Sequence, residues 1–336
     1  MTSPALSPAS SFEKNTSSMW VERGFSRREI VPRLMKVATN LTVYSSTEQP
    51  ITNTEALFFP PANSPEAIEI INQTTERHTI DALWVQKSAA YPLNDISAEV
   101  HTAASPEIIS LVDDKIAFSS WLGDDPYRPF AVEAQGAEDI NNLYTQLHAA
   151  GHEVCVKPVI GVNGEGYWKL SEHDTSLLRT PEERIMHPDV YLHALSLQEA
   201  TKGPQRTIVM DWLPGPEVSV DVLTWKGQPL IHAARTKIDG RTQRIQSEHE
   251  VIDHTHSLSK KLGFHGIISF QYRLDTEGNW KILEINPRPA GGSTHSEDAG
   301  FGIIGGWAKL ISKQAGPNDI IQHHDDVTLT ARTHWQ

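Results

Sequence analysis

The stretch WKILEINPRPAGG, residues 280–292, restricts the fold more than any other part of the chain. Its first seven residues are apolar enough for a core strand, yet they carry Glu284 and Asn286 two positions apart. Side chains alternate across a strand, so Glu284 and Asn286 share one face and Leu283 and Ile285 the other. A core strand does not aim an acid and an amide the same way unless something satisfies them. Either the strand is half exposed with a solvated polar face, or it carries a ligand. The rest of the chain decides.

At 336 residues and 37.4 kDa the chain can form two or three domains, each with its own core. Acids outnumber bases 42 to 29, a net charge of −13. That sign excludes a general nucleic-acid or anionic-membrane binder, so an anionic ligand must meet a local basic site. Cys155 is the one cysteine, which rules out an intramolecular disulfide and suits the cytosol. No apolar stretch approaches the length of a membrane span. The opening MTSPALSPASSFEKNTSS lacks the pattern of a signal peptide, and residues 1–18 are expected to be a disordered Ser/Pro/Ala-rich tail.

Order is expected from Met19. A strand at 19–21, a helix with Ile30, Leu34 and Val37 on one side, a strand at 41–44, and the runs ALFFP and DALWVQK describe a small parallel α/β unit. From Asp113 the texture changes. VDDKIAFSSWL predicts a helix opening after an acidic pair, and EDINNLYTQLHAAG a helix with Ile140, Leu143, Leu147 and Ala150 on one face. EVCVKPVIGVNGEGYWKL predicts strand, glycine-rich turn, strand; RTIVMDWLPGPEVSVDVLTWKGQPLI predicts three strands and two tight turns. A helix ending at Gly263 precedes the final hairpin, IISFQYRLDTEGNWKILEIN.

If Asp275 pairs with Trp280 in that hairpin, Gln271 stands opposite Glu284, on the same face and about 5 Å away. Gln271, Glu284 and Asn286 would then cluster hard oxygen ligands, the way proteins hold Mg²⁺ against phosphates. KPVIGVNGEGY is either a plain glycine-rich β-turn or a phosphate partner, and its place about 120 residues before the acid–amide strand favours the second. Lys157 ends a strand, and Gly161, Gly164 and Gly166 let the next turn bring backbone N–H groups against oxygens. The glycines are not followed by the Lys-Ser/Thr of a P-loop.

Across residues 113–292 the sequence resembles the ATP-grasp superfamily through four separated motifs in that family's order. Asp114-Lys115 is similar to the Asp-Lys opening the small lobe, which implies that Lys115 reaches the α-phosphate. Lys157 resembles the second phosphate lysine, and Gly161, Gly164 and Gly166 the flap over the triphosphate. VMDWLPGPEVSVDV resembles the hinge, where Asp211, Trp212 and Leu213 would meet the adenine and Glu217 the ribose hydroxyls. Gln271, Glu284 and Asn286 fall on the metal positions. EINPRPAGG resembles the carboxylate–amine ligase branch, with Arg288 at the acyl phosphate and Gly291 and Gly292 beside the substrate. Gln271 replaces the commoner acid, Asp211 the commoner glutamate, and Ser269 stands where some peptide ligases carry arginine.

The resemblance implies an α/β fold with α+β lobes: the tail, an N-terminal parallel α/β domain at 19–112, a small ATP-grasp lobe at 113–212 and a large lobe at 213–336. It implies ATP and two Mg²⁺ ions as cofactors, with Mn²⁺ as a substitute. The expected reaction joins a small-molecule carboxylate to an amine through an acyl phosphate, with Arg288 and Lys157 as catalytic cations. A phosphotransferase and a non-catalytic nucleotide-binding regulator are the alternatives. No nucleic acid or membrane partner is expected; a cytoplasmic location is, and a homodimer is left open as the assembly.

Three features stay open on sequence. Arg235, Lys237, Arg241 and Arg244 form either a solvated loop or a lip over the substrate, with Arg235 the choice within it. His295, just past the glycines, is a further substrate candidate. His254 and His256 imitate a metal pair, but on a helix positions i and i+2 splay apart.

Overall fold

The computed structural model describes residues 17–22, 29–37, 41–45, 65–77, 80–85, 95–161, 164–173, 184–239, 242–323 and 325–330. Residues 1–16 of the expected tail, the ALFFP run and Arg241 lie outside them, while Ser17 and Ser18, expected in the tail, begin the first strand. Three sheets organise the rest.

The first sheet is parallel, in the order β2-β1-β3-β4. Its elements are β1 (Ser17–Glu22), α1 (Ile30–Val37), β2 (Leu41–Ser45), α2 (Pro65–Arg77), β3 (Ile80–Val85) and β4 (Glu99–Thr102). Parallel neighbours require crossovers; α1 lies between β1 and β2 and α2 between β2 and β3. Two short helices follow. In α3 (Pro106–Asp113), which the sequence reading did not anticipate, Ser105 caps the N-terminus and Pro106 occupies the first turn, where its missing N–H costs nothing. Then Asp114 caps α4 (Lys115–Leu122).

The second sheet, order β5-β9-β6-β7-β8, comprises β5 (Ala131–Gln135), β6 (Val154–Pro158), β7 (Trp168–Leu170), β8 (Ile185–Met186) and β9 (Arg206–Asp211). It carries α5 (Ala137–Ala149) and α6 (Pro188–Lys202). In α5 the buried positions are Ile140 and Tyr144, while Ala150 is exposed, so the helix is rotated slightly from the expected face. A tyrosine covers more apolar area than an alanine and wins the inward position.

The third sheet, order β14-β13-β10-β11-β12-β15, is antiparallel. Its elements are β10 (Glu217–Trp225), β11 (Gln228–Lys237), β12 (Thr242–Gln246), α7 (Ile252–Lys261), β13 (Gly266–Leu274), β14 (Trp280–Asn286), α8 (Ser293–Asp298), α9 (Ile303–Ile311) and β15 (Val327–Thr330). Lys226 and Gly227, both at positive φ (48° and 83°), close the β10–β11 hairpin. Two left-handed residues give the turn whose twist matches the strands. β9 and β10 belong to different sheets although only five residues separate them. The segment between them is therefore a hinge in the topological sense.

One core joins the first and third sheets. Ile30, Val31 and Leu34 of α1 and Trp84 of β3 pack with Leu223, Ile231, Ile304 and Trp307. The Trp84 and Trp307 rings meet edge to face at 5.5 Å, and Arg33 grips Asp298 of α8 through two hydrogen bonds of 2.9 and 2.6 Å.

Two histidine pairs lie in or beside these cores. His101 Nδ1 stands 3.0 Å from His265 Nε2, and His256 Nε2 stands 3.1 Å from His232 Nδ1. Burial lowers His256 and His265 to about 4, and the neighbouring histidine adds to the effect in each. Both are therefore neutral in the fold at pH values where the unfolded chain, titrating near 6.5, binds protons. Their stability contribution is complete above pH 6.5 and declines as pH falls toward 4. Thermal melting should show a drop of about 5 °C or more between pH 6.5 and 4.5. His256→Gln and His265→Gln should each flatten that slope. A parent Tm that stays level over this window would contradict the assignment.

Candidate active site

A cavity of about 640 Å³ lies between the second and third sheets, within the usual size of a small-molecule site. One face of the third sheet carries polar residues in rows across the strands: Glu217 opposite Arg273, then Arg235, Ser219, Gln271 and Glu284, then Asp221, Ser269 and Asn286. Of these, Glu217, Arg273, Gln271, Glu284 and Asn286 line the cavity together with Lys237, while Arg235, Ser219, Asp221 and Ser269 are buried away from it.

Gln271 does stand opposite Glu284, by a different route from the expected one. The hairpin pairs Leu274 with Trp280 and closes through Asp275, whose N–H donates to the Asn279 carbonyl at 2.9 Å. A register shift between Gln271 and Tyr272 then brings Glu284 into place. The irregularity has a second consequence, which corrects the strict alternation read from the sequence. Ile282 and Ile285 go to the core, while Leu283 and Glu284 both line the cavity. A bulge takes one extra residue on one strand and re-aims its neighbours. Leu283 thus joins Cys155, Val159, Ile208, Met210 and Leu213 in an apolar cluster, an apolar wall that suits a flat ring. The Cys155 thiol is pushed up to about 11 by burial, so it serves as a small hydrophobe.

The donor set fits a hard divalent cation. Gln271, Glu284 and Asn286 all line the cavity, and Asn286 Nδ2 donates to Glu284 Oε1 at 2.8 Å. That bond leaves Glu284 Oε2 and Asn286 Oδ1 outside it, and oxygen donors of this kind suit Mg²⁺. The His254/His256 pair does not form such a site. On α7, His254 engages Asp125 and Tyr272, while His256 turns to His232. Among the described residues no group of three or more His, Cys, Asp or Glu could hold a metal.

Lys115 reaches the cavity because Asp114 holds the helix start. Asp114 Oδ1 accepts from the Ile116 and Ala117 amides at 3.0 and 2.9 Å, and Oδ2 from Arg206 at 2.8 Å. Burial works to raise the Asp114 pKa, but those amides and Arg206 outweigh it and hold the group below its ordinary value. Lys115 Nζ donates to the Gly161 carbonyl at 3.1 Å. Lys157 lies across the cavity wall on β6. Burial lowers its pKa, and Lys115 pushes the same way, while Cys155 and Glu284 oppose. Two cations on one cavity wall, each disfavouring the other's charge, favour an anionic ligand.

Lys115, Lys157, Arg184, Lys237, Arg273 and Arg288 face Glu165, Asp211, Glu217 and Glu284. A net excess of two positive charges, inside a chain of net charge −13, marks a polyanion site. Burial draws the Arg288 guanidinium below its ordinary value, opposed by Glu284 and Asp113; an arginine keeps its charge regardless.

Of the residues singled out on sequence, Lys115, Lys157, Gly161, Gly164, Asp211, Leu213, Glu217, Gln271, Glu284, Asn286, Arg288 and Gly291 line this cavity. The Asp211 carboxylate is taken by His152 at 2.9 Å, and its carbonyl accepts from the Cys155 thiol at 3.6 Å. Gly166 stands at φ +70° against Pro158 and shapes the turn from outside the lining, where a Cβ would collide with that proline ring. Trp212 lies under Lys169, whose Nζ sits 3.2 Å from the ring centroid. Gly292 and His295 are not brought to the wall. Arg235 is not either: its guanidinium is buried at 3% exposure against Asp221. Lys237, two residues on, takes the wall position and pairs with Glu217 at 2.7 Å, and Arg244 pairs at the surface with Asp326. Arg235 and Lys237 share a strand face, so alternation could not rank them; depth along the strand did.

Arg184 and Arg273 were missed. Arg273 Nε donates to the Gly215 carbonyl at 2.9 Å, and Arg184 donates to the Gly164 carbonyl. Alternation down β13 from Gln271 would have found Arg273, but nothing local marks Arg184.

Residues 204–335 match the family model described as "ATP-grasp in the biosynthetic pathway with Ter operon". Over 258 residues the chain is 24% identical to the arginine-specific large chain of carbamoyl phosphate synthase from Geobacillus stearothermophilus, covering 70% of this chain. It spans only 22% of that relative. Among solved structures, N5-carboxyaminoimidazole synthetase from Staphylococcus aureus superimposes with a TM-score of 0.63 at 12% identity, over 91% of this chain and 80% of that one. L-amino acid ligase from Bacillus licheniformis gives 0.60 at 15%, over 93% and 78%. Biotin carboxylase from Campylobacter jejuni gives 0.61 at 16%, over 93% and 74%. The chain has the ATP-grasp fold, and its resemblance is to the carboxylate–amine ligase and carbamoyl-phosphate-synthase-like branch of that superfamily.

Proposed function

We propose that the protein is an ATP- and Mg²⁺-dependent ligase that joins a small carboxylate to an amine, releasing ADP and phosphate. One observation carries the reading. The oxygen-donor trio Gln271, Glu284 and Asn286 lines the same cavity as Lys115, Lys157 and Arg288. A bare nucleotide-binding module has no chemical need for the trio and the arginine together.

In this reading the apolar cluster around Leu213 and Leu283 holds the adenine and Glu217 the ribose. Lys115 and Lys157 neutralise phosphate oxygens; Gln271, Glu284 and Asn286 would hold Mg²⁺, whose charge would further offset that of the phosphates. The substrate carboxylate attacks the γ-phosphorus and ADP leaves, giving an acyl phosphate. An amine then attacks the acyl carbon, phosphate leaves, and the amine nitrogen loses a proton to solvent to give the amide. Arg288 is placed to stabilise the charge on that adduct, and positioning does most of the remaining work. Among the described residues no helix is long and apolar enough to cross a membrane.

The experiment is an ADP-release screen of carboxylates crossed with amino acids and other amines. ADP, phosphate and an amide product should form in equal amounts, and only when acid and amine are both present. A phosphorylated hydroxyl as the product would assign a phosphotransferase instead.

A further inference from the structure

We propose that Asp221 and Arg235 are positioning residues, a buried clamp that sets the turn from Arg288 to Ser293 and so fixes the substrate side of the cavity. The proposal rests on the ligase reading for its purpose but not for its test.

Asp221 is fully buried on β10, four residues from Glu217 and on the same strand face. Both of its oxygens are saturated. Oδ2 accepts from Arg235 Nε at 2.6 Å and Ser296 Oγ at 2.7 Å. Oδ1 accepts from Ser293 Oγ at 2.8 Å and Arg235 Nη2 at 3.3 Å. A carboxylate with its charge paired and its lone pairs filled has nothing left for a ligand. Its role lies in what hangs from it.

What hangs from it is the loop beyond the metal-ligand strand. Ser293 Oγ also accepts from the Ala290 amide at 2.9 Å, and the Ser293 amide donates to the Ala290 carbonyl at 3.1 Å. The turn is thus closed on itself and anchored to Asp221 through one hydroxyl. At its other end the Arg288 amide donates to the Asn286 carbonyl at 2.7 Å. Arg235 completes the seat from below. Its Nη1 donates to Gln243 at 3.2 Å, and the guanidinium lies so close to Gly292 that a Cβ there would overlap Nη1. Gly292 is needed for that close approach, since its φ of −80° suits any residue. Arg288 and Gly291, which do line the cavity, are therefore carried on a turn whose pitch is set by a charge pair outside it.

Hydrogen exchange tests this without a substrate. In Ser293→Ala/Ser296→Ala, amide protection over 290–296 should fall by about tenfold or more, as expected for two buried hydrogen bonds to a charged group. Strands β10 and β13 should keep their protection, and Mg·ADP affinity should stay within about threefold of the parent. Gly292→Ala should loosen the same segment. Arg235→Lys, which withdraws the fork from beneath the glycine, should restore part of that protection when combined with it. Unchanged exchange over 290–296 in the serine variant would overturn the clamp. So would protection lost evenly across the large sheet, or an absence of rescue in the double variant. A failed ADP-release screen would leave these exchange results standing, so the two readings fail separately.

Discussion

Arg288→Ala should bind Mg·ATP within a few-fold of the parent while amide formation falls by on the order of a hundredfold or more. The guanidinium lines the cavity near Glu284 and Asp113 at a burial that lowers its pKa. A cation kept there at a desolvation cost interacts best with the state of greatest negative charge. In the proposed reaction that state is the acyl phosphate and its adduct rather than bound ATP, so turnover suffers more than affinity. Arg288→Lys should remain impaired, because an ammonium keeps the charge and loses the planar fork. Calorimetry of Mg·ATP binding beside mass spectrometry of product makes the comparison. Product formed by Arg288→Ala at the parent rate would make the arginine structural and remove the main support for a ligase.

Glu284→Gln is expected to lower turnover by on the order of a thousandfold while nucleotide is still bound. The substitution replaces a charged oxygen by an N–H₂ group at the centre of the donor trio, next to Asn286 at 2.8 Å. It leaves untouched the apolar cluster of Cys155, Met210 and Leu213, and also Glu217. The Mg²⁺ dependence of ADP binding should shift to higher metal concentration in the same variant. Near-parent ADP production, with an unshifted metal requirement, would remove Glu284 from the metal set.

Much of this site was legible because it is built from short local patterns. Asp114 and Lys115 are adjacent because one caps the helix that presents the other. Gln271 and Glu284 face each other because a hairpin links residues by a fixed sum of positions. That inference succeeded only with the help of a bulge no pattern announced: the turn is one residue longer than expected, and the extra residue at Leu283 restores the register. The same bulge made Leu283 a wall residue when alternation had sent it to the core.

The basic segment divides along the same line. The sequence by itself determined that Arg235 and Lys237 share a strand face, since alternation depends on the chain alone. It also determined the donor strand and the glycine-rich turn. Which of the two cations meets that ligand was settled by what lies beneath each. Lys237 stands beside Glu217 at the cavity, whereas Arg235 is drawn down onto Asp221, the carboxylate that Ser293 and Ser296 of a later helix also hold. A buried carboxylate takes the nearest guanidinium because an unpaired charge in the core is far costlier than a contact forgone at the surface. That competition is between residues distant in sequence, and only the tertiary structure brings them close enough for it to be decided.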